Sequence, residues 1–123
     1  MIEYTVGRHH GEATANTTVH IFTARRRCII DRVEYANTVG LVEHADDHVT
    51  GTVQNGEDVL ATLFATDSDL EGADNSLGTD PIIATPPAAT RLLAAGDVLD
   101  LVLTAAGSPT LPPGDVTVYV REI

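Results

Sequence analysis

Apolar and polar residues alternate in short runs along this chain, and turn-forming residues separate the runs. In the last run Val116, Val118 and Val120 share one phase, and Thr117, Tyr119 and Arg121 share the other. A period of two is that of a strand with one buried face. The run before it, Val98 to Thr104, places Leu99, Leu101 and Leu103 together, opposite Val98, Asp100 and Val102. A Gly-Asp pair precedes each run, at Gly96-Asp97 and Gly114-Asp115. The 29 residues from Ala95 to Ile123 therefore predict two strands joined by a turn-rich loop, a hairpin that closes a sandwich.

The same reading applies upstream. Ile2 to Val6 is a first strand, and Gly7 to Asn16 a polar loop. Thr17 to Thr23 alternates Val19 and Ile21 against His20 and Phe22. Ala24 to Arg27 turns. Cys28 to Ala36 is β-rich, with Ile29, Val33 and Tyr35 on one face but Ile30 on the other, which predicts a bulge or burial of both faces. Asn37 to Asp47 reads as a short strand or a packed loop. His48 to Gln54 is a strand, and Asn55-Gly56 is a two-residue turn signal. In Val59 to Thr66 a strand period competes with a helical face of Val59, Leu60, Leu63 and Phe64; the turn before it and Thr62 and Thr66 favour the strand. Asp67 to Asp80 is an acidic loop, Pro81 to Thr85 an edge strand, and Pro86 to Thr90 a connector. Seven or eight strands in 123 residues predict one all-β domain, residues 1–123, folded as an antiparallel β-sandwich of jelly-roll kind.

Composition narrows the setting. The core must be mostly aliphatic, because the chain has three Tyr, two Phe and no Trp. No apolar run is long enough to span a membrane, and no signal segment precedes the first strand. Cys28 is single, so it forms no intrachain disulfide; beside Ile29 and Ile30 it reads as a buried, inert thiol. The formal net charge is −11, and all seven basic residues are arginine. At near-saturating salt the Debye length falls to about 3 Å or less, so such a surface stays soluble with little self-repulsion. The absent lysine and the acid excess together point to a halophilic source. The same surface argues against a nucleic-acid partner, whose phosphates need Lys and Arg.

The candidate chemistry is sparse. His44 and His48 lie four apart after Glu43, but Ala45 stands where the helical zinc motif needs Glu, and a solvated polar loop is the better reading. His9, His10, Glu12 and His20 invite comparison with a barrel metal site. Adjacent histidines on a strand, however, point to opposite faces. Asp67, Asp69, Glu71 and Gly72 open like a calcium loop, yet Gly78 occupies the position of the expected bidentate acid. They remain the weak candidates for a bound cation, and no other cofactor is expected. Arg25, Arg26 and Arg27 form the one basic cluster and suit pairing with carboxylates of a neighbouring subunit or a larger acidic partner. No nucleophile elbow, phosphate loop or spaced carboxylate pair is present, so the sequence offers no positive sign of an enzyme.

The segment AAGDVLDLVLTAAGSPTLPPGDVTVYV, with TVHIFTA and CIIDRVEY upstream, resembles small β-sandwich virion proteins encoded beside the major capsid protein of tailed viruses. That resemblance covers about half the chain. It implies a capsid decoration protein of a tailed virus, with an archaeal halophile as the host that fits the composition. Such a protein sits on the outer surface of an icosahedral head, often as a homotrimer, and bridges major capsid proteins. The apolar residues expected to be exposed for these contacts are Ile2, Tyr4, Phe22 and the segment from Pro81 to Leu93. A turret or tail-associated virion sandwich is the alternative within the class. A carbohydrate- or ligand-binding module is the alternative outside it, weakened because the only aromatic rings with a polar tip are Tyr4, Tyr35 and Tyr119.

Overall fold

A computed structural model describes residues 2–37, 46–65 and 82–123. Among these residues are nine strands: β1 Glu3–His10, β2 Thr17–Thr23, β3 Cys28–Asn37, β4 His48–Asn55, β5 Asp58–Ala65, β6 Ile82–Ala84, β7 Leu92–Leu93, β8 Val98–Ala106 and β9 Gly114–Glu122. One sheet has the order β1-β9-β3-β6, with β7 pairing to the start of β3; the other has the order β2-β8-β4-β5. All the pairings are antiparallel. Except for the β4–β5 hairpin and the step from β6 to β7, each strand crosses to the opposite sheet. That path is a jelly roll.

The crossing corrects one expectation. β8 pairs with β2 and β4, whereas β9 pairs with β1 and β3. The two C-terminal strands are therefore not a hairpin; their loop carries the chain between the sheets. Their faces are as expected. Leu99, Leu101, Leu103, Val116, Val118 and Val120 are all buried in the core between the sheets, with Ile30, Val33, Tyr35, Val53 and Leu60.

Bulges explain where the period fails. The β3–β9 register skips Asp31, which brings Ile30 onto the buried face with Val33 and Tyr35. The β2–β8 register skips Ile21, so Ile21 and Phe22 both turn inward. The β4–β5 register skips Leu63 and Leu60, and Leu60, Ala61, Leu63 and Phe64 are all buried. Two bulges in eight residues mimic a helical face, which is why the two periods compete there. β1 also runs further than expected, to His10, and absorbs part of the predicted polar loop.

Gly51 in β4 makes room for the neighbouring strand. A Cβ there would stand 2.6 Å from two ring atoms of Phe64. Gly51→Ala is therefore expected to destabilise the protein by about 1–3 kcal/mol, as overpacked cores do. A urea titration checks it by the fall in the unfolding midpoint.

Candidate docking end

At one end of the sandwich the N-terminus, the Ala24–Arg27 turn, the 92–98 segment and the C-terminus meet. Backbone hydrogen bonds hold them: Ala24 N–H donates to Asp97 O (2.8 Å), Gly96 N–H to Ala24 O (2.7 Å), and Ile123 N–H to Arg27 O (3.1 Å). Six large apolar side chains stay exposed among the described residues, and five are at this end: Ile2, Val59, Leu92, Val98 and Ile123. Arg25, Arg26, Arg27 and Arg91, four of the seven arginines, are here too. Exposed apolar side chains and arginines gathered toward one end suit a protein surface better than a small ligand.

The predicted contact residues divide by environment. Ile2, Tyr4, Phe22 and Arg25 line one groove of roughly 450 Å³ between the edges of β1 and β2, together with Val6 and Arg8. Ile2 is exposed and Tyr4 half-buried. Phe22 departs from expectation: it is only 8% exposed, because the bulge at Ile21 turns it into the groove floor. Of the 81–93 segment, Ile83 and Leu92 are exposed while Leu93 is fully buried against β3. Val59, Val98 and Ile123 escaped the sequence reading. Val98 was legible in principle, since it lies on the phase opposite the Leu face of β8.

The arginines also differ. Arg25 makes a forked pair with Glu122, Nε to Oε2 at 3.0 Å and Nη2 to Oε1 at 3.3 Å, and lies 5.9 Å from the centre of the Tyr4 ring. The carboxylate that it neutralises belongs to its own chain, not to a neighbour. The Glu122 side chain is 5% exposed, so Arg25 closes a buried acid at the groove end. Burial and the Glu122 charge push the Tyr4 hydroxyl pKa up, and burial followed by Glu122 does the same to the Cys28 thiol. Cys28 is thus a buried thiol held in its neutral form. Arg26 and Arg27 are exposed and have no ion-pair partner among the described residues. Arg25→Ala is expected to lower the melting temperature by several degrees, because it strands the Glu122 carboxylate. Adding Glu122→Gln restores part of that loss; thermal melts of the two variants check both statements.

On the outer face of the β1-β9-β3-β6 sheet, Arg32 and Arg121 are used internally. Arg121 forks onto Asp31 at 2.9 and 3.2 Å. Arg32 stacks 3.9 Å above the Tyr119 ring and bonds Glu34 at 3.1 Å, while Tyr119 O–H donates to Glu34 at 3.2 Å.

The histidines separate as the strand geometry requires. His9 faces out to Asp115 at 2.8 Å, and His10 faces in to the Tyr35 hydroxyl at 2.7 Å. His20 lies on the other sheet, 3.3 Å from Asp100 and 3.4 Å from Thr23. Both distances are at the long limit of hydrogen bonding, on an open sheet face where water competes. Glu12 is exposed in the loop after β1, and His48 begins β4. Among the described residues no group of three or more His, Cys, Asp or Glu is placed to hold a metal ion. Glu43, His44, Asp67, Asp69, Glu71 and Gly78 lie outside the described residues.

No protein-family model matches this chain, and no curated protein sequence matches it. Among solved structures its fold is similar to a chain of the cyanophage Pam1 capsid asymmetric unit, at 16% identity and a TM-score of 0.56. The likeness spans 98% of this chain and 85% of that one, so the two are of similar length, and this sandwich has the fold of a chain found in a viral capsid.

Proposed function

We propose that this chain is a virion structural protein that decorates the outer surface of an icosahedral capsid and bridges neighbouring major capsid proteins. The observation that carries this reading is the likeness, over 98% of this chain and 85% of the other, to a similarly short chain of a capsid asymmetric unit. A jelly roll alone would not choose, since lectin-like domains share it. The docking end supplies the second support. Its exposed apolar side chains give the burial that holds in high salt, and Arg26 and Arg27 meet carboxylates of an acidic shell at close range. Several copies in a symmetric oligomer, a trimer at three-fold positions in the resemblance above, multiply weak individual contacts into firm attachment. The acidic, lysine-free surface suits a virus of a halophile. In that setting, lowering the salt well below molar is expected to loosen the fold or its assembly. A melting curve at each salt concentration checks this, and full stability in dilute buffer would count against a halophilic source.

Co-sedimentation tests the docking. The purified protein is mixed, in molar NaCl, with heads of its own virus that lack it. The wild-type chain is expected to pellet with the heads, and the exposed-site variant Ile2→Asp/Leu92→Asp to stay in solution with its fold intact. Wild-type protein that remains in the supernatant would overturn the reading.

A further inference from the structure

Among the described residues five strands lie at sheet edges, and four of them are blunted. β2 is bulged at Ile21, β5 is bulged at Leu60 and Leu63, β6 has three residues and β7 has two. Bulges and shortness are the devices by which proteins keep sheet edges from pairing. β1 has neither. It runs for eight residues with no register shift against β9, and it contains no proline.

Its free groups can be identified. Glu122 N–H donates to Ile2 O at 2.8 Å, so residues 2 and 122 form a hydrogen-bonded pair. Alternation along an antiparallel ladder then assigns Tyr4, Val6, Arg8 and His10 to β9. The backbone groups of Glu3, Thr5, Gly7 and His9 point to the open edge. The Gly7 carbonyl bears this out, because its partner is the Arg8 guanidinium at 2.9 Å rather than a strand.

We infer that β1 pairs antiparallel with β1 of a second copy, about a two-fold axis between the two Val6 residues. In this register Glu3 faces His9 of the second copy and Thr5 faces its Gly7, which uses every free backbone group of the edge. On the inner side Tyr4 faces Arg8, an arginine-on-ring contact, and Val6 faces Val6. A carboxylate faces an imidazole that can hydrogen-bond it, a guanidinium faces an aromatic ring, apolar meets apolar, and no like charges are opposed, so the edge is complementary to itself. Shifting the register by two residues in either direction leaves free backbone groups unused and moves Arg8 off Tyr4. The strand pair alone is smaller than a standard interface and is concentration-dependent; copies held side by side on a shell would be driven into it. The pairing rests on the strand and not on the virion reading, and it is independent of any three-fold contact made elsewhere.

Cysteine placement tests the register. Val6→Cys would stand directly opposite its mate in a pair without hydrogen bonds, at a Cα separation of about 4.5 Å, within disulfide range. Cys28 is buried and stays silent. Mild oxidation of V6C is expected to yield a covalent dimer of doubled mass. Adding Thr5→Pro, which removes an N–H pointing to the open edge, is expected to abolish that dimer while preserving the fold. Tyr4→Cys and Arg8→Cys chains are expected to cross-link when mixed and not when oxidised separately, which decides the matter even if V6C fails to fold. Cross-linking of Y4C or R8C alone at the mixed yield, or no cross-link in the mixture, would overturn the pairing. Binding to heads is read separately, so either proposal can fail without the other.

Discussion

Replacing Val118 with aspartate is expected to leave no folded protein. Val118 has no exposed surface and sits mid-way along β9, between Val6 of β1 and Val33 of β3. The substitution removes about 1.5–3 kcal/mol of apolar burial. It also moves a carboxylate into a core whose neighbours are aliphatic, at a cost of several kcal/mol more. Against a total stability of about 5–15 kcal/mol, that is enough to unfold the chain. Circular dichroism and sedimentation of the variant check it. A soluble variant with the native β spectrum would mean that the buried face of β9 has been assigned the wrong way round.

Tyr35→Phe is the second large loss, expected at about 2–4 kcal/mol. Tyr35 is fully buried with its ring 4.9 Å from Phe64. Its hydroxyl links two other buried polar side chains. His10 Nδ1 donates to the Gly11 carbonyl (2.7 Å), which leaves Nε2 to accept from Tyr35 O–H (2.7 Å). Asn37 Nδ2 donates to the Tyr35 oxygen (2.9 Å) and to Pro112 O (3.2 Å). Gly114 leaves just the space this needs, since a Cβ there would approach the Tyr35 hydroxyl to 2.6 Å. Phenylalanine would strand an acceptor on His10 and a donor on Asn37, both in the dry interior.

The same tyrosine sets an alkaline limit. Burial pushes its pKa well above the usual 10.0; the Asn37 hydrogen bond pulls it back and the Asp115 charge adds to the rise. A folded-state value above the unfolded one means that stability is intact below about pH 10 and is lost as pH rises beyond it. Wild-type stability is therefore expected to fall above about pH 10, and that component of the fall to be absent in Tyr35→Phe. Equal alkaline slopes for the two proteins, in denaturant titrations from pH 8 to pH 11, would contradict the buried network.

The core was legible because it depends on local period. Leu99, Leu101, Leu103 and the three valines of β9 declare their face within one strand, whatever the strand pairs with. Partnership is not local. Nothing in Val98–Ala106 or Gly114–Glu122 distinguishes a hairpin from a crossing between sheets, and proximity in the chain favours the wrong choice. Bulges hide in the same way. A single skipped residue at Ile21 reverses Phe22, which a strict alternation leaves in solvent. At the docking end the arginine cluster and Ile2 stand out as residue types. The occupation of Arg25 by Glu122 does not, because the partners are 97 residues apart. The exposure of Val59 and Ile123 follows from where strands end, which alternation alone does not specify.

The account turns on the protein being part of a particle. The most direct measurement is a cryo-electron microscopy map of purified virions of the virus that encodes it, paired with particles from which the gene has been removed. The account predicts sandwich-shaped density on the outer surface at symmetric positions, with the Ile2, Leu92 and Arg26–Arg27 end against the shell, and its loss from the deletion particles. Identical shells in the two maps, with the protein absent from purified virions, would contradict it.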